Sequence, residues 1–294
     1  MEFTVFTPTY NRAYIIKKLY LSLKQQTFKD FEWIVIDDGS TDNTSKVFNA
    51  IMHDNHDFPI IYKKIDNKGK HNAVNLGVQM SSGRLFFIVD SDDYLPGNAL
   101  ETLLQYEQSI ETEDKCEFAG VSGLKGTDNN IAFGASFSGD YLDCTYLEAQ
   151  SNNIFGDKSE VYYTDLLKKY PFPVFENEKF IPESVVWNVI AADGYKLRYF
   201  NKITYYCEYL EDGLTKQGDE KYKSIPKGYG LYLHQSIKYG KLIKINKWKH
   251  IFNYYRMFNE QLSNREMAHN LHMNPVKFRF RVLGIRIFYK IYNR

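Results

Sequence analysis

Three acids crowd the stretch Asp90-Ser91-Asp92-Asp93, directly behind the apolar run Leu85 to Val89. A buried strand of that composition delivers its last residues to a sheet edge, where carboxylates gathered within a few ångströms repel one another unless a cation or a proton intervenes. Hard oxygen ligands suit magnesium or manganese, with water and phosphate completing the coordination shell. Capping of the helix expected from about Gly97 is the competing use of these acids, because Asp favours such positions.

Two further stretches carry related chemistry. Asp37-Asp38-Gly39-Ser40-Thr41-Asp42 follows the buried run Trp33 to Ile36. An acid at that strand end can accept a hydrogen bond from a base or a ribose, while Ser40, Thr41 and Asp42 suit a helix start. The run Asn67 to Gly77 opens a helix with glycine and the basic residues Lys68 and Lys70. Backbone amides, helix dipole and Lys70 all favour an anion there, and phosphate is the natural guest.

The elements that must position these groups alternate in type. Phe3 to Thr7 is β-prone and stops at Pro8, and Ala13 to Leu23 has Ile15, Ile16, Leu19 and Leu23 at helical spacing. Strands at 33–36, 60–62 and 85–89 and helices at 45–52 and 73–80 continue the pattern, which predicts a mostly parallel, doubly wound α/β sheet. Ligands in such sheets sit beyond the carboxyl ends of the strands, where Thr7 to Asn11, Asp37 to Ser40 and Asp90 to Asp93 all fall. After about residue 106 the alternation fails. The segment 117–139, rich in Gly, Ser and Asn, reads as irregular sheet and loops, and residues from about Gly218 read as helical, aromatic and Lys-rich.

Composition narrows the function classes. With 44% hydrophobic residues in 294, a large core is affordable, and 37 Lys plus Arg against 36 Asp plus Glu give no reason to expect nucleic acid. Cys116, Cys144 and Cys207 are widely spaced and form no CxxC pair, against a disulfide framework or structural zinc. No basic-then-apolar leader opens the chain and no apolar run is long enough to span a membrane, so a cytoplasmic location is expected.

In order and spacing, Pro8-Thr9-Tyr10-Asn11-Arg12, Gln26-Thr27-Phe28, Asp37 to Asp42, Asn67 to Gly77 and Asp90 to Asp93 resemble the motifs of family 2 glycosyltransferases of GT-A fold. The resemblance is specific over about residues 3–105. It implies an inverting enzyme that moves a sugar from a nucleotide diphosphate donor, UDP-sugar in first place, to a saccharide or lipid-linked acceptor in polysaccharide assembly. It further implies that the loop Pro8, Thr9, Tyr10, Asn11 and Arg12 and the acid Asp38 hold uracil and ribose, that Lys70 and His71 face the diphosphate or sugar, that Asp90 and Ser91 contact the donor, and that Asp92 holds Mn2+ or Mg2+. Val74 stands where many relatives carry Arg, which makes Lys70 the candidate for that charge. A nucleotidyltransferase would need a glycine-rich basic loop after the first strand, and Thr7 to Arg12 has no glycine. A nucleotide-binding module without transfer activity is the remaining rival.

The reaction also needs a base for the acceptor hydroxyl. Family members keep an acid at the start of a helix bearing Trp, and Ile181-Pro182-Glu183-Ser184-Val185-Val186-Trp187 matches, which makes Glu183 the candidate. Asp157-Lys158 and Glu211 to Thr215 are further polar groups able to border an acceptor. We divide the chain into a catalytic domain, 1–217, with nucleotide-binding (1–105) and acceptor-binding (106–217) halves, and a helical extension, 218–294. Residues 277–294 carry six basic and no acidic side chains. Wound as a helix, Phe278, Val282, Ile285, Tyr289 and Tyr292 form one stripe opposite Arg279, Arg286, Lys290 and Arg294. Docking on an anionic membrane and packing on the domain account for that pattern equally well.

Overall fold

The computed structural model describes residues 1–134, 137–208, 218–240 and 244–292. It divides into two compact units, Met1–Phe172 with Val189–Glu211, and Pro173–Asn188 with Asp212–Arg294.

In the first unit β1 (Phe3–Thr9), α1 (Ile16–Lys24), β2 (Phe31–Asp37), α2 (Thr44–Met52), β3 (Ile60–Lys64), α3 (Lys70–Met80), β4 (Leu85–Ile88) and α4 (Ala99–Gln108) alternate. They are followed by β5 (Phe118–Gly126), β6 (Tyr141–Thr145), β7 (Lys158–Tyr163) and α5 (Thr164–Lys169). Next come α6 (Ser184–Ala192), inside which the unit boundary falls, and β8 (Lys196–Tyr206). One sheet runs β3-β2-β1-β4-β7-β5-β8-β6. The pairs β1·β2, β1·β4 and β2·β3 are parallel, giving the nucleotide-binding half its 3-2-1-4 order. Strands β1 and β2 are buried along their whole length, as central parallel strands covered on both faces should be. Helix α3 comes so near β1 that a Cβ on Gly77 would lie 2.1 Å from the Phe6 ring.

The expected irregular segment proves otherwise over 118–126. Here β5 is a nine-residue interior strand, antiparallel to β7 and parallel to β8. Its composition hid it: Ala119, Gly120, Ser122 and Gly123 match neither an alternating nor an apolar strand pattern. Close packing demands such small residues, since a Cβ on Gly120 would lie 2.0 Å from the Val161 carbonyl oxygen and one on Gly123 2.4 Å from Thr204 Oγ1.

A buried acid links the parallel strands to the antiparallel ones. The Glu107 carboxylate on α4 accepts from Arg84 Nη1 (2.7 Å) and Nη2 (2.8 Å), Lys115 Nζ (2.9 Å) and the Tyr163 hydroxyl (2.7 Å). Burial alone would raise its pKa, but these donors hold it down to about 2.

The second unit contains α7 (Pro226–Lys238), α8 (Lys244–Phe258), α9 (Asn264–Asn270) and α10 (Pro275–Tyr292). The Glu178 carboxylate accepts from Lys227 N (2.7 Å) and Gly228 N (2.8 Å), which satisfies the first turn of α7. Gln235 on α7 accepts from Asn188 Nδ2 and donates to the Val185 carbonyl. A capping box of Ser263 and Glu266 starts α9. Leu233, Tyr254, Phe258, Leu271, Phe278 and Val282 share the core. The tail stripe therefore begins as packing, with Phe278 and Val282 buried, while Val276, Phe280 and Leu283 lie exposed, Phe280 at 71%. The side chains of Ile285, Arg286, Tyr289, Lys290, Tyr292 and Arg294 lie outside the described residues, as do Glu211 to Thr215. No helix among the described residues is long and apolar enough to cross a membrane. The three cysteines are free: Cys116 exposed, Cys144 buried, Cys207 between.

Candidate active site

The loops leaving β1 and β2 are laced together by short polar side chains. Asn11, at φ 53, accepts on Oδ1 from Thr41 N (2.8 Å), and its own amide donates to Ser40 Oγ (2.8 Å). Arg12 N donates to Thr44 Oγ1 and Ala13 N to Asp42 Oδ2. Asp37 closes the turn behind them by accepting from Ser40 N (2.7 Å) and the Tyr62 hydroxyl (2.5 Å). Gly39, at φ 80, takes the left-handed conformation that lets the chain reverse there. Tyr10 projects from this loop at 46% exposure, and Thr9 Oγ1 is buried without a hydrogen-bond partner.

Asp38 is the acceptor for the backbone amides that open the glycine-lysine run. Its Oδ1 accepts from Lys68 N at 2.7 Å and its Oδ2 from Gly69 N at 2.8 Å. The rest of that run divides into charge and architecture. Lys70 Nζ lies 2.6 Å from Asp90 Oδ1. His71 is buried, and burial lowers its pKa to about 4, so it is neutral near pH 7. Asn72 Nδ2 donates to the Lys68 carbonyl and lies 3.0 Å from His71 Nε2, which makes Nε2 the acceptor and places the ring hydrogen on Nδ1. That Nδ1 has no hydrogen-bond partner. Asn75 clasps Phe172, donating to its carbonyl and accepting from its amide. Val74 is buried.

At the end of β4 the three acids face different neighbours. Asp90 pairs with Lys70; burial would raise its pKa, but the Lys70 and Lys125 charges outweigh burial and leave it low. Asp92 sits 3.9 Å from Arg12 Nε, with its side chain 22% exposed, and burial followed by the Asp90 charge raises its pKa. Asp93 turns inward, accepting from the Tyr205 hydroxyl (2.8 Å) and Glu208 N (2.9 Å). Burial, then Asp90 and Asp92, push its pKa up to about 7. Among the described residues no three His, Cys, Asp or Glu side chains converge as a metal cage. Asp90 and Asp92 are hard oxygen donors, of the chemistry that suits a divalent cation whose remaining ligands are phosphate and water. Ser91 is buried within the turn.

Two positioning residues were hidden from motif reading. Tyr205 on β8 accepts from Asp90 N (2.9 Å) with the same hydroxyl that donates to Asp93. Lys125 on β5 lies with its ammonium 4.2 Å from the Tyr205 ring centroid. Both come from more than thirty residues beyond the acids they serve, and nothing local marks them. Glu183 belongs to the second unit, immediately before α6, where its carbonyl accepts from Val186 N (2.9 Å) and Trp187 N (3.2 Å). Lys158 is buried on β7.

A 3-2-1-4 parallel half-sheet with paired cations and carboxylates at its carboxyl edge defines an α/β protein of the nucleotide-binding kind. Residues 4–113 match the family described as glycosyl transferase family 2, and the fold is GT-A. It is 32% identical over 131 residues to glycosyltransferase GlyG of Streptococcus pneumoniae, covering 44% of this chain and 42% of that one. It is 27% identical over 267 residues to the GalNAc(5)-diNAcBac-PP-undecaprenol beta-1,3-glucosyltransferase of Campylobacter jejuni, covering 83% of this chain and 84% of that one. In fold it is similar to S. aureus TarS 1-349, solved in complex with UDP-GlcNAc, with a TM-score of 0.60 at 16% identity over 97% of this chain and 92% of that one. The chain thus spans less than half of GlyG and most of the Campylobacter enzyme.

Proposed function

We propose that this protein is an inverting glycosyltransferase that moves a sugar from a UDP-sugar to a saccharide on a lipid-linked carrier. The observation that carries the proposal is the gathering of Arg12, Lys70, Asp90 and Asp92 at one sheet edge, with Lys70 to Asp90 at 2.6 Å and Arg12 to Asp92 at 3.9 Å. Such paired charges can separate to meet a diphosphate, the cations taking its oxygens and the carboxylates the sugar and a divalent cation. The TarS complex with UDP-GlcNAc supports the nucleotide, and the Campylobacter relative's name supports the carrier.

In this reading the loop Pro8 to Arg12 and Asp38 frame the uracil and ribose. Asp38 acts largely by holding the Lys68-Gly69 backbone, and His71 shapes the pocket from beneath as a neutral ring. Lys70 faces the diphosphate, and Asp90 and Ser91 face the ribose or sugar. Asp92 would hold Mn2+ or Mg2+, which would neutralise charge developing on the departing diphosphate. Glu183 takes the proton of the acceptor hydroxyl. The freed oxygen attacks the anomeric carbon from the face opposite the diphosphate, the bond to the diphosphate oxygen breaks with its electron pair, and configuration inverts. Residues 1–217 do this chemistry, while 218–294 serve attachment. The enzyme works at the cytoplasmic face of the membrane, aided by the basic segment 277–294 and the exposed Val276, Phe280 and Leu283.

The test is a thermal-shift and turnover screen of UDP-Glc, UDP-GlcNAc and UDP-Gal with and without manganese, since a ligand that binds only the native state raises its apparent stability. We expect stabilisation by one UDP-sugar that needs the cation, and release of UDP in the presence of an undecaprenyl-diphosphate-linked saccharide. Stabilisation without any UDP release would leave a nucleotide-binding module, and release of sugar 1-phosphate would mean attack on the α-phosphate.

A further inference from the structure

Helix α4 buries Leu100, Leu103, Leu104 and Glu107 and turns Asn98, Thr102, Gln105 and Ser109 to its other side. Those positions follow the helical repeat and run about 16 Å along the axis. They form one wall of a cavity of about 760 Å³, which lies wholly within the first unit and is walled across from α4 by β6, β8 and the turn at Asn130. It begins beside Tyr206, whose backbone pairs with Tyr94 directly after the Asp90 to Asp93 turn.

We propose that this groove binds an uncharged glycan, the distal sugars of the acceptor, an inference that rests on the transferase reading above. Two tyrosine rings in the wall are fixed from behind. Tyr106 stacks on Phe200 with centroids 3.9 Å apart, and its hydroxyl donates to Asp140 at 2.6 Å. Tyr141 lies against the Arg198 guanidinium, 3.9 Å from the ring centroid, while the residue remains 48% exposed. Arg198 is itself locked by Asp143 (2.9 and 2.7 Å) and by Ser109 Oγ (2.8 Å). Rings held this way offer preorganised apolar faces for the C–H faces of pyranoses.

The polar groups between them are amides and hydroxyls, which suit sugar hydroxyls as donors and acceptors alike. Asn201 spends its Nδ2 on the Phe137 and Gly139 carbonyls and keeps Oδ1 buried without a hydrogen-bond partner. Among the lining residues Asp140 and Lys202 are the charged ones and they cancel, so the groove lacks the cationic cluster that an acidic polysaccharide or a phosphate chain would demand.

The experiment presents the full chain, with UDP and manganese, to an array of neutral and acidic bacterial oligosaccharides, and measures UDP affinity separately by calorimetry. Neutral glycans should bind. Thr102→Arg, which pushes a long cation into the groove, and Tyr141→Ala should weaken that binding by about tenfold or more. Tyr141→Phe, which keeps the ring, should retain it, and all variants should bind UDP like the parent. Thr102→Arg binding glycan like the parent would overturn the proposal, as would capture of acidic glycans alone. Chains that pair in solution through this face, with Thr102→Arg abolishing the pairing and no glycan bound, would assign the groove to a second copy instead. UDP binding with no glycan bound sinks the groove and spares the transferase, whereas glycan binding lost in Thr102→Arg by a parent that binds no UDP does the reverse.

Discussion

The two acidic turns at the carboxyl edge of the sheet are held in opposite ways. The Asp37 to Asp42 turn is fastened to its sequence neighbourhood, through Asn11, Thr44, Tyr62, Lys68 and Gly69, all within about thirty residues and all belonging to the half built on the parallel strands. The Asp90 to Asp93 turn is gripped from the antiparallel half, where Tyr205 and Glu208 reach Asp90 and Asp93 across more than a hundred residues. The first arrangement spends its carboxylates on backbone amides and so builds a rigid rim. The second leaves Asp92 facing solvent and Arg12, with a raised pKa that a cation would relieve. Rigid framing and reactive charge are thus divided between the ends of β2 and β4, the two strands that flank β1.

Replacing one acid in each turn is the hardest test of that division. Asp92→Asn should abolish turnover and most manganese-dependent UDP affinity while leaving the melting temperature nearly unchanged. Asp38→Asn should instead lower stability, by about 1–2 kcal/mol in urea titration, because an amide cannot accept at both oxygen positions from Lys68 N and Gly69 N. Equal UDP affinity for Asp92→Asn and the parent in manganese would contradict the assignment of the metal. Outside both turns, Glu183→Gln keeps the shape and removes the proton acceptor. Its turnover number should fall by about 100-fold or more with donor affinity little changed. Near-normal turnover would move the base to another acid, Asp157 first.

The same division explains what could be read from the sequence. Strands β1 to β4 and helices α1 to α3 announce themselves because apolar runs and helical repeats are local, and their order places Asp38, Lys70 and Asp90 at one edge. Roles inside a motif are harder, since spacing does not say which way a side chain turns. His71, which the resemblance has facing the diphosphate or sugar, is buried, and Asn75 and Gly77 pack on Phe172 and Phe6. The antiparallel half is obscure for a physical reason. Its interior strand β5 needs glycine and serine where β7 and β8 crowd it, so it loses the apolar signature by which buried strands are found. Tyr205 carries no mark because its partners lie over a hundred residues away.

A smaller effect should come from loosening the grip of the antiparallel half. Tyr205→Phe retains the buried ring and deletes one hydroxyl, which leaves Asp90 N without its acceptor and removes the donor to Asp93 Oδ2. The turn should drift by a fraction of an ångström, and turnover should fall by about tenfold with stability lowered by about 1 kcal/mol. A positioning role predicts more than a stability loss: the manganese concentration needed for half-maximal rate should rise as well. Were only the melting temperature to move, Tyr205 would be a packing residue and the contrast between the turns would lose its basis.

The mildest test addresses the joint between the halves, where Glu107 ties Arg84 before β4, Lys115 before β5 and Tyr163 at the end of β7. Its folded pKa, about 2, lies below that of an unfolded glutamate, so the unfolded chain binds more protons between those values. Stabilisation from this group is then fully present above pH 5 and is lost as pH falls from about 4.5 toward 2. Arg84 and Lys115 are partly solvated, their side chains 39% and 32% exposed, so screening reduces the yield to about 1–2 kcal/mol. Glu107→Gln preserves the volume and one acceptor but cannot titrate. The difference in unfolding free energy between parent and variant should be constant from pH 5 to 8 and shrink steadily below pH 4.5. A difference that stayed constant down to pH 3 would show that shape, not charge, joins the two halves of the sheet at this point.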